Sequence, residues 1–260
     1  MNDSNSDKKK TNETDETSAK EFAIEIVDLH KSFKSNRVLK GLNLVLAKGE
    51  NLVVLGKSGT GKSVLIKCVV GLIEPEEGSL TVLGENVLEL KDKKLNDLRK
   101  KVGFLFQSAA LYDSMTVREN LKFPLRTDPS IEEDEKEALV KEALENVGLL
   151  DAIDKMPSEL SGGMRKRVGL ARTLILKPAV MLYDEPTNGL DPITSREISK
   201  LITDVREKYK TSSIIITHDI ACAKITADRI VVLKDGVCLT EGTFEELQNS
   251  EIPEVRAYFE

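Results

Sequence analysis

The feature that most constrains this 260-residue chain is a glycine-rich octapeptide between a short apolar run and an apolar helical pattern. Residues 56–63 read Gly-Lys-Ser-Gly-Thr-Gly-Lys-Ser and fit the pattern G-x-x-x-x-G-K-S/T. The run Asn51–Leu55 before it suits a buried parallel strand, and the apolar positions after it recur at helical spacing (Val64, Leu65, Cys68 and Val69). A chance match is the alternative, but the motif requires this strand–turn–helix context. The order predicts an α/β fold built on parallel strands.

Such a loop has a specific chemistry. Its glycines let successive backbone N–H groups turn inward around phosphate oxygens, and the N-terminus of the following helix adds positive potential. We expect Lys62 to reach the β and γ phosphates as a point charge, and the Ser63 hydroxyl to bind Mg²⁺. The predicted phosphate-binding residues are Gly56, Lys57, Ser58, Gly59, Thr60, Gly61, Lys62 and Ser63.

A second apolar run, Val180–Tyr183, ends in the two acids Asp184 and Glu185. Adjacent carboxylates at the end of a buried strand are costly unless each has a partner. A Mg²⁺ ion for Asp184 and an attacking water for Glu185 would supply those partners, which makes Glu185 a candidate general base. The alternative is that the acids only cap a helix that starts near Pro186.

Short apolar runs elsewhere predict two groups of strands. Ala23–Val27 and Leu42–Leu46 alternate in polarity and suit a small antiparallel sheet near the N-terminus. Ser213–Thr217 suits a buried strand. Ile230–Leu233 and Val237–Leu239 flank a Lys-Asp-Gly turn, which is a hairpin signal.

Between about residues 108 and 177 the pattern changes and predicts an inserted α-helical subdomain. Ser130–Glu133 fits a capping box that opens a helix, and Gly148 stands where that helix is expected to end. Thr243–Glu246 fits a second capping box, which opens a last helix.

The net charge and the distribution of apolar residues limit which partners the chain is expected to bind and where in the cell it is expected to lie. A net charge of -6 argues against a general nucleic-acid-binding surface, so we expect no nucleic-acid partner. Residues 1–20 are polar, predict a disordered tail and contain no apolar stretch of the kind that a signal peptide needs. Apolar runs such as Ile214–Ile216 are too short to cross a bilayer. We therefore expect a cytoplasmic protein that does not insert into a membrane itself.

Three further candidate motifs follow one another in a definite order along the chain. Gln107 follows the apolar run Val102–Phe106, Ser161–Gly163 precedes a basic helix, and His218 follows the run that ends at Thr217. Each has a plain alternative, respectively a polar residue at a strand end, a helix N-cap with flexible glycines, and a core histidine. Chance does not explain all three in one chain with the octapeptide and the acidic pair.

Their joint order resembles the nucleotide-binding domain of ABC transporters, over about Ile24 to Phe244. The resemblance implies that residues 21–260 form a RecA-like P-loop NTPase core with an N-terminal antiparallel β subdomain and an inserted helical subdomain. It also implies that the chain is an ATPase whose cofactors are ATP and Mg²⁺.

The resemblance assigns roles to matched positions. It implies that Phe33 stacks on adenine, and that Gln107 contacts Mg²⁺ and water and senses the membrane partner. It also implies that Ser161 and Gly163 bind the γ-phosphate held by the opposite subunit. Asp191 would link the two sites, and His218 would contact the γ-phosphate. The catalytic candidates are then Glu185, His218 and Gln107, and the candidate Mg²⁺ ligands are Ser63, Gln107 and Asp184.

The same resemblance implies partners. Two copies would pair head to tail around two ATP molecules and drive a separate polytopic permease on the inner face of the plasma membrane. Met164 stands where most members have Gln, which removes a hydrogen-bonding side chain from that position. Leu160–Met164 and Phe106–Val117 are similar to the Mla-type branch, which serves phospholipid permeases with MCE-domain accessory proteins.

Other functions stay open at this point. The chain could serve the import or export of a small solute, or it could be a non-transport ABC protein that acts on ribosomes or DNA. A module that binds ATP without hydrolysing it is disfavoured because Glu185 and His218 are both present.

Overall fold

The computed structural model describes residues 22–259, so the tail predicted to be disordered, residues 1–20, lies outside the described residues. The described strands are β1 (Phe22–Phe33), β2 (Asn36–Ala47), β3 (Asn51–Leu55), β4 (Glu77–Val82), β5 (Glu85–Asn86), β6 (Val102–Leu105), β7 (Val180–Asp184), β8 (Ser212–Thr217), β9 (Arg229–Lys234) and β10 (Val237–Gly242). The described α-helices are α1 (Lys62–Val69), α2 (Asp92–Lys101), α3 (Val117–Lys122), α4 (Glu133–Asn146), α5 (Gly162–Leu174), α6 (Pro192–Tyr209), α7 (Ile220–Thr226), α8 (Phe244–Gln248) and α9 (Pro253–Arg256). Short 3₁₀ turns lie at Val87–Glu89, Phe123–Thr127, Leu150–Ala152 and Pro157–Glu159.

The strands form two sheets. A four-stranded antiparallel sheet has the order β2-β1-β4-β5, and the predicted antiparallel pairing of its first two strands is confirmed, with Ile26 opposite Leu44. Both strands are 12 residues long and extend well beyond the runs that the sequence predicted. The extension was missed because positions such as Arg37 and Lys40 are exposed and polar, and only the paired partner strand defines their conformation.

The six-stranded sheet has the order β10-β9-β3-β8-β7-β6. Five of these strands are parallel, and β10 joins β9 as the predicted antiparallel hairpin. All five residues of β3 are buried. Leu52 and Val54 face the cluster shared with the antiparallel sheet, whereas Val53 and Leu55 face the cluster shared with α5 and α6, as the alternation of a strand requires. The sheet is therefore covered on both faces, and the predicted α/β class is confirmed.

Parallel pairing places four loops at one edge of this sheet. β3, β6, β7 and β8 all run in the same direction, so residues 56–63, Gln107, Glu185 and His218 follow their carboxyl ends. Leu55 lies opposite Thr217, and Asp184 lies opposite Ile216. The carboxyl edge of a parallel sheet is where α/β proteins bind ligands.

The helices between residues 117 and 174 share a separate core, in which Val117, Leu121, Val140, Leu144 and Val168 are fully buried. The predicted capping box at Ser130 is wrong. The backbone N–H and hydroxyl of Ser130 both donate to Asp128 Oδ1, at 3.0 and 2.5 Å, and α4 begins at Glu133 with no side-chain cap. The predicted box at Thr243 and Glu246 is confirmed.

Within residues 22–259 no helix combines the length and apolarity that a bilayer crossing needs. The longest described helix, α6, has 18 residues and a polar outer face that includes Lys200 and Glu207.

The predicted end of α4 is confirmed at Gly148. Its φ is +67°, its N–H donates to Glu145 O at 3.0 Å, and the N–H of Leu149 donates to Leu144 O at 2.9 Å. This is the Schellman arrangement, in which the residue after the helix takes a left-handed conformation.

We expect Gly148→Ala to lower the free energy of unfolding by about 1 kcal/mol, because the left-handed conformation is unfavourable for an L residue. The added Cβ itself causes no clash, since its nearest neighbour would be Arg167 Nη1 at 3.8 Å. Gly148→Asn is the control and should lose less, since Asn tolerates this region. Urea denaturation midpoints at unchanged m value measure both. An alanine variant as stable as the parent would contradict the conformational explanation.

Candidate functional site

The carboxyl edge of the six-stranded sheet carries a cleft of about 650 Å³. It brings together most of the predicted site residues, namely Phe33, Gly56, Lys57, Ser58, Gly59, Gly61, Lys62, Ser63, Gln107, Glu185 and His218. Thr60 lines an adjoining cavity, and its hydroxyl donates to Lys57 O at 3.0 Å.

The loop of residues 56–63 needs its glycines. Gly59 and Gly61 have φ values of +83° and +103°, which favour glycine. A Cβ on Gly56 would lie 2.6 Å from Leu233 O, and a Cβ on Gly61 would lie 2.9 Å from Leu39 Cδ2. The backbone is thus packed against β9 and β2 on its outer side, which leaves its inner side to a ligand.

Lys62 lies inside this loop. Its ammonium is buried and donates to Gly56 O at 2.6 Å and to Lys57 O at 3.0 Å, and it is 4.0 Å from Glu185 Oε1. Burial lowers the pKa of Lys62, while the charges of Glu185 and Asp184 act to raise it. A cation at this position attracts anionic oxygens that enter the loop.

Ser63 and Asp184 form the second part of the site. The Ser63 hydroxyl donates to Asp184 Oδ1 at 3.0 Å, and Asp184 is buried at the end of β7. Burial raises the pKa of Asp184, and the hydrogen bond from Ser63 opposes that shift. A hydroxyl and a carboxylate, with the Gln107 amide on the same cleft, are oxygen donors of the kind Mg²⁺ takes together with phosphate oxygens and water. The residues present therefore fit that ion.

Glu185 is the residue with the most unusual backbone in the cleft. Its φ is +49°, a left-handed value that costs a non-glycine residue of order 1–3 kcal/mol. Its N–H donates to Ile216 O at 2.9 Å, and its carboxylate is 2.8 Å from His218 Nδ1. The N-cap alternative for the acidic pair is wrong, because the next helix begins at Pro192 and is capped by Asp191.

His218 is not a core histidine, since 61% of its side chain is exposed. Gln107 is also exposed and lies two residues beyond the end of β6. This position agrees both with a plain polar residue at a strand end and with a glutamine that contacts Mg²⁺ and water. Phe33 ends β1 with its ring 46% exposed, and Lys31 Nζ lies 5.3 Å from the ring centroid. An exposed ring at the cleft offers a face for stacking.

Ser161, Gly163 and Asp191 do not line this cleft in their own chain. Ser161 caps α5 by accepting from Met164 N at 3.2 Å, as its structural alternative predicts. A Cβ on Gly163 would lie 2.5 Å from Thr194 Cγ2, and the Thr194 hydroxyl donates to Asp191 Oδ2 at 2.5 Å. Ser161 and Asp191 are exposed, whereas Gly163 is buried against Thr194. The starts of α5 and α6 therefore form a second surface, which Ser161 and Asp191 line. Met164 is half-buried and packs on the helical core.

Other residues at or next to the cleft were missed from the sequence. Val38, Val64, Asn188 and Tyr258 line it, and Lys166 contacts its backbone from α5. Of these residues, only Asn188 could have been found from nearby sequence motifs, because it lies between the acidic pair and Asp191. Val38 and Tyr258 are 220 residues apart in number (258 − 38), so only the tertiary fold brings them together.

Comparisons with known proteins identify the family of this chain. A family model described as ABC transporter matches residues 39–188. The chain is 41% identical over 236 residues to the probable ribonucleotide transport ATP-binding protein mkl of Mycobacterium leprae (strain TN), covering 91% of this chain and 68% of the relative. It is 38% identical over 252 residues to the chloroplastic protein TRIGALACTOSYLDIACYLGLYCEROL 3 of Arabidopsis thaliana, covering 90% of this chain and 72% of that protein.

A solved structure, the dimeric post-hydrolysis state of the ATP-binding cassette MJ0796 bound to ADP and Pi, aligns with a TM-score of 0.78 and 30% identity. The alignment covers 85% of this chain and 98% of that one. The chain spans about two thirds of the length of the sequence relatives named above and nearly all of this solved cassette.

The family model covers more than half of the chain, the relatives and the solved cassette align over 85% to 91% of it, and the protein belongs to the ABC transporter family, whose ATP-binding, ATP-hydrolysing domain it carries.

Proposed function

We propose that this chain binds ATP and Mg²⁺ in the cleft at the carboxyl edge of the six-stranded sheet and hydrolyses the ATP to drive a separate membrane permease. The observation that carries the proposal is convergence, because five side chains from the segments that follow four different strands line one cleft, namely Lys62, Ser63, Gln107, Glu185 and His218. The glycine loop supplies inward N–H groups for phosphates, and Phe33 supplies a ring face for the adenine.

The proposed reaction assigns each group a task. Glu185 accepts a proton from the attacking water. Its contact with His218 Nδ1 fixes the direction of its carboxylate, and the bond from its N–H to Ile216 O holds its backbone. His218 lines the same cleft as the glycine loop, and an imidazole at this position could donate to a γ-phosphate oxygen. Ser63, Asp184 and Gln107 would hold Mg²⁺, which would supply positive charge to neutralise the phosphate oxygens.

The active unit is proposed to be a head-to-tail homodimer. Ser161 and Gly163 lie outside the cleft of their own chain, at the N-terminus of a 13-residue helix whose first N–H groups favour an anion. A second copy could present this end to the γ-phosphate, and Asp191 beside it could link the two sites. The solved cassette named above is dimeric.

We expect Lys62→Ala to abolish ATP binding measured by equilibrium dialysis, because the mutation removes the cation from the phosphate loop. Lys141→Ala, at an exposed position on α4, is the matched control and should bind normally. Unchanged affinity in the Lys62 variant would remove the phosphate-binding role from residues 56–63.

We expect Glu185→Gln to slow ATP hydrolysis by roughly 10²- to 10⁴-fold, the usual worth of a positioned general base. ATP should then persist between two copies, so gel filtration with ATP should show a dimer. Glu142→Gln, on the exposed face of α4, should leave turnover and elution unchanged. Near-normal turnover in the Glu185 variant would remove that residue from its role, and slow turnover without a dimer would contradict the head-to-tail pair alone.

For the cargo we propose phospholipid or a related lipid, moved by a polytopic permease with MCE-domain accessory proteins. The Mla-like segments Leu160–Met164 and Phe106–Val117 support this, and one relative carries a galactolipid in its name. The chain would then lie on the cytoplasmic face of the plasma membrane through its permease, and a net charge of -6 gives no reason to expect a nucleic-acid partner. The second candidate is a small solute, supported by the relative named for ribonucleotide transport.

A mild-detergent pull-down of the tagged chain from its native membranes, with proteins and lipids identified by mass spectrometry, tests the cargo. We expect a polytopic permease, an MCE-domain protein and bound phospholipid. A permease with a solute-binding protein would replace the lipid cargo with a small solute. Ribosomal or DNA-repair proteins without a membrane partner would contradict the transport role.

A further inference from the structure

One face of α5 contacts the segment of residues 107–110, which leads from the cleft to the helical region. Lys166, Gly169 and Arg172 are spaced by three residues, so they lie on the same side of the helix. Each of them contacts the segment or the strand before it. Two of these residues are charged, of which Lys166 is buried and Arg172 is half-buried.

Lys166 contacts two catalytic candidates at their backbones. Its ammonium donates to Gln107 O and, at 3.3 Å, to Glu185 O. The side chain is buried, and burial lowers its pKa while the charges of Asp184 and Glu185 raise it. A buried ammonium is costly, so a position that needed only packing would be served better by an apolar side chain.

Arg172 contacts the next part of the same segment. Its guanidinium donates to Ala109 O at 3.0 Å and to Ala110 O at 2.8 Å. Ala109 and Ala110 have φ values of +61° and +48°, so two consecutive alanines are in the left-handed region. Such residues persist only where surrounding contacts enforce them.

Gly169 lies between these two charged residues and allows the close approach. A Cβ at this position would lie 2.9 Å from Ala109 Cβ and 3.1 Å from Leu105 Cδ1. The helix, the end of β6 and the segment 107–110 are therefore packed as one unit, with a hydrogen bond on either side of the glycine contact.

We propose that Lys166 and Arg172 are positioning residues, which hold the backbone of Gln107 and Glu185 in the geometry that hydrolysis requires. The proposal rests on the proposed roles of Gln107 and Glu185. Lys166 ties the carboxyl ends of β6 and β7 together, and Arg172 keeps the strained alanines from relaxing and moving Gln107. Because α5 begins at Gly162, one helix joins the surface offered to the second copy with the chain's own cleft.

The test uses the full chain and compares Lys166→Met with Lys166→Arg, which keeps a cationic donor. We expect Lys166→Met to lower kcat by roughly 10- to 100-fold, the scale for misplaced catalytic groups, while the Kd for ATP changes by less than about threefold. Lys166→Arg should recover most of the kcat. Arg172→Met should also lower kcat, and the double variant should lose less than the product of the two single losses, because both act on one segment.

Arg167→Met is the matched control, since Arg167 is on the same helix and its partners, Val147 O and the Glu197 carboxylate, are not among the residues that line the cleft. It should leave kcat unchanged, with thermal melts of all variants run alongside. A normal kcat in Lys166→Met, or equal losses of kcat in the Lys166 and Arg167 variants, would overturn the proposal. Gln107→Ala separates it from the proposed function: normal turnover there would refute the role of Gln107, whereas impaired turnover there with normal turnover in Lys166→Met would refute only the positioning role.

Discussion

Parallel pairing of β3, β8 and β7 is the constraint on which the rest of the structure depends. The pairing sets Leu55 beside Thr217 and Asp184 beside Ile216, so the loops that follow these strands leave the sheet at the same level. Parallel strands of this kind must be buried on both faces, and the two core clusters provide that burial. A slip of one residue in any of the three strands would exchange the two faces and separate Lys62, Asp184 and Glu185.

Several buried charged side chains lie at the same edge of the sheet. Lys62, Lys166 and Asp184 are all buried, which is tolerable only because each has hydrogen-bond partners and the charges oppose one another across the loops. The cluster is costly for a protein that only needs to fold. Together with the left-handed backbone of Glu185, it marks a region where local preference is overruled by the surrounding structure.

Much of the fold could be read from local patterns, where a residue's neighbours in sequence decide its conformation. The strand Asn51–Leu55, the turn of Asp235 and Gly236, the end of α4 at Gly148 and the cap at Thr243 are of this kind. The capping box at Ser130 failed because a neighbour, Asp128, accepts its hydrogen bonds first. Asp128 lies before the motif, so a pattern that begins at Ser130 does not include it.

The sequence by itself determined the phosphate loop, the acidic pair and the residues that reach the cleft from the ends of buried strands, because each depends on glycine geometry or strand burial within a few residues. Only the tertiary structure decided which groups meet. It placed His218 against Glu185, brought Val38 and Tyr258 to one cleft, put Ser161 and Asp191 on a separate surface, and turned Lys166 toward two carbonyl groups of the cleft. Such contacts join residues far apart in the chain, and they form through sheet register and helix packing, which no short stretch of sequence contains.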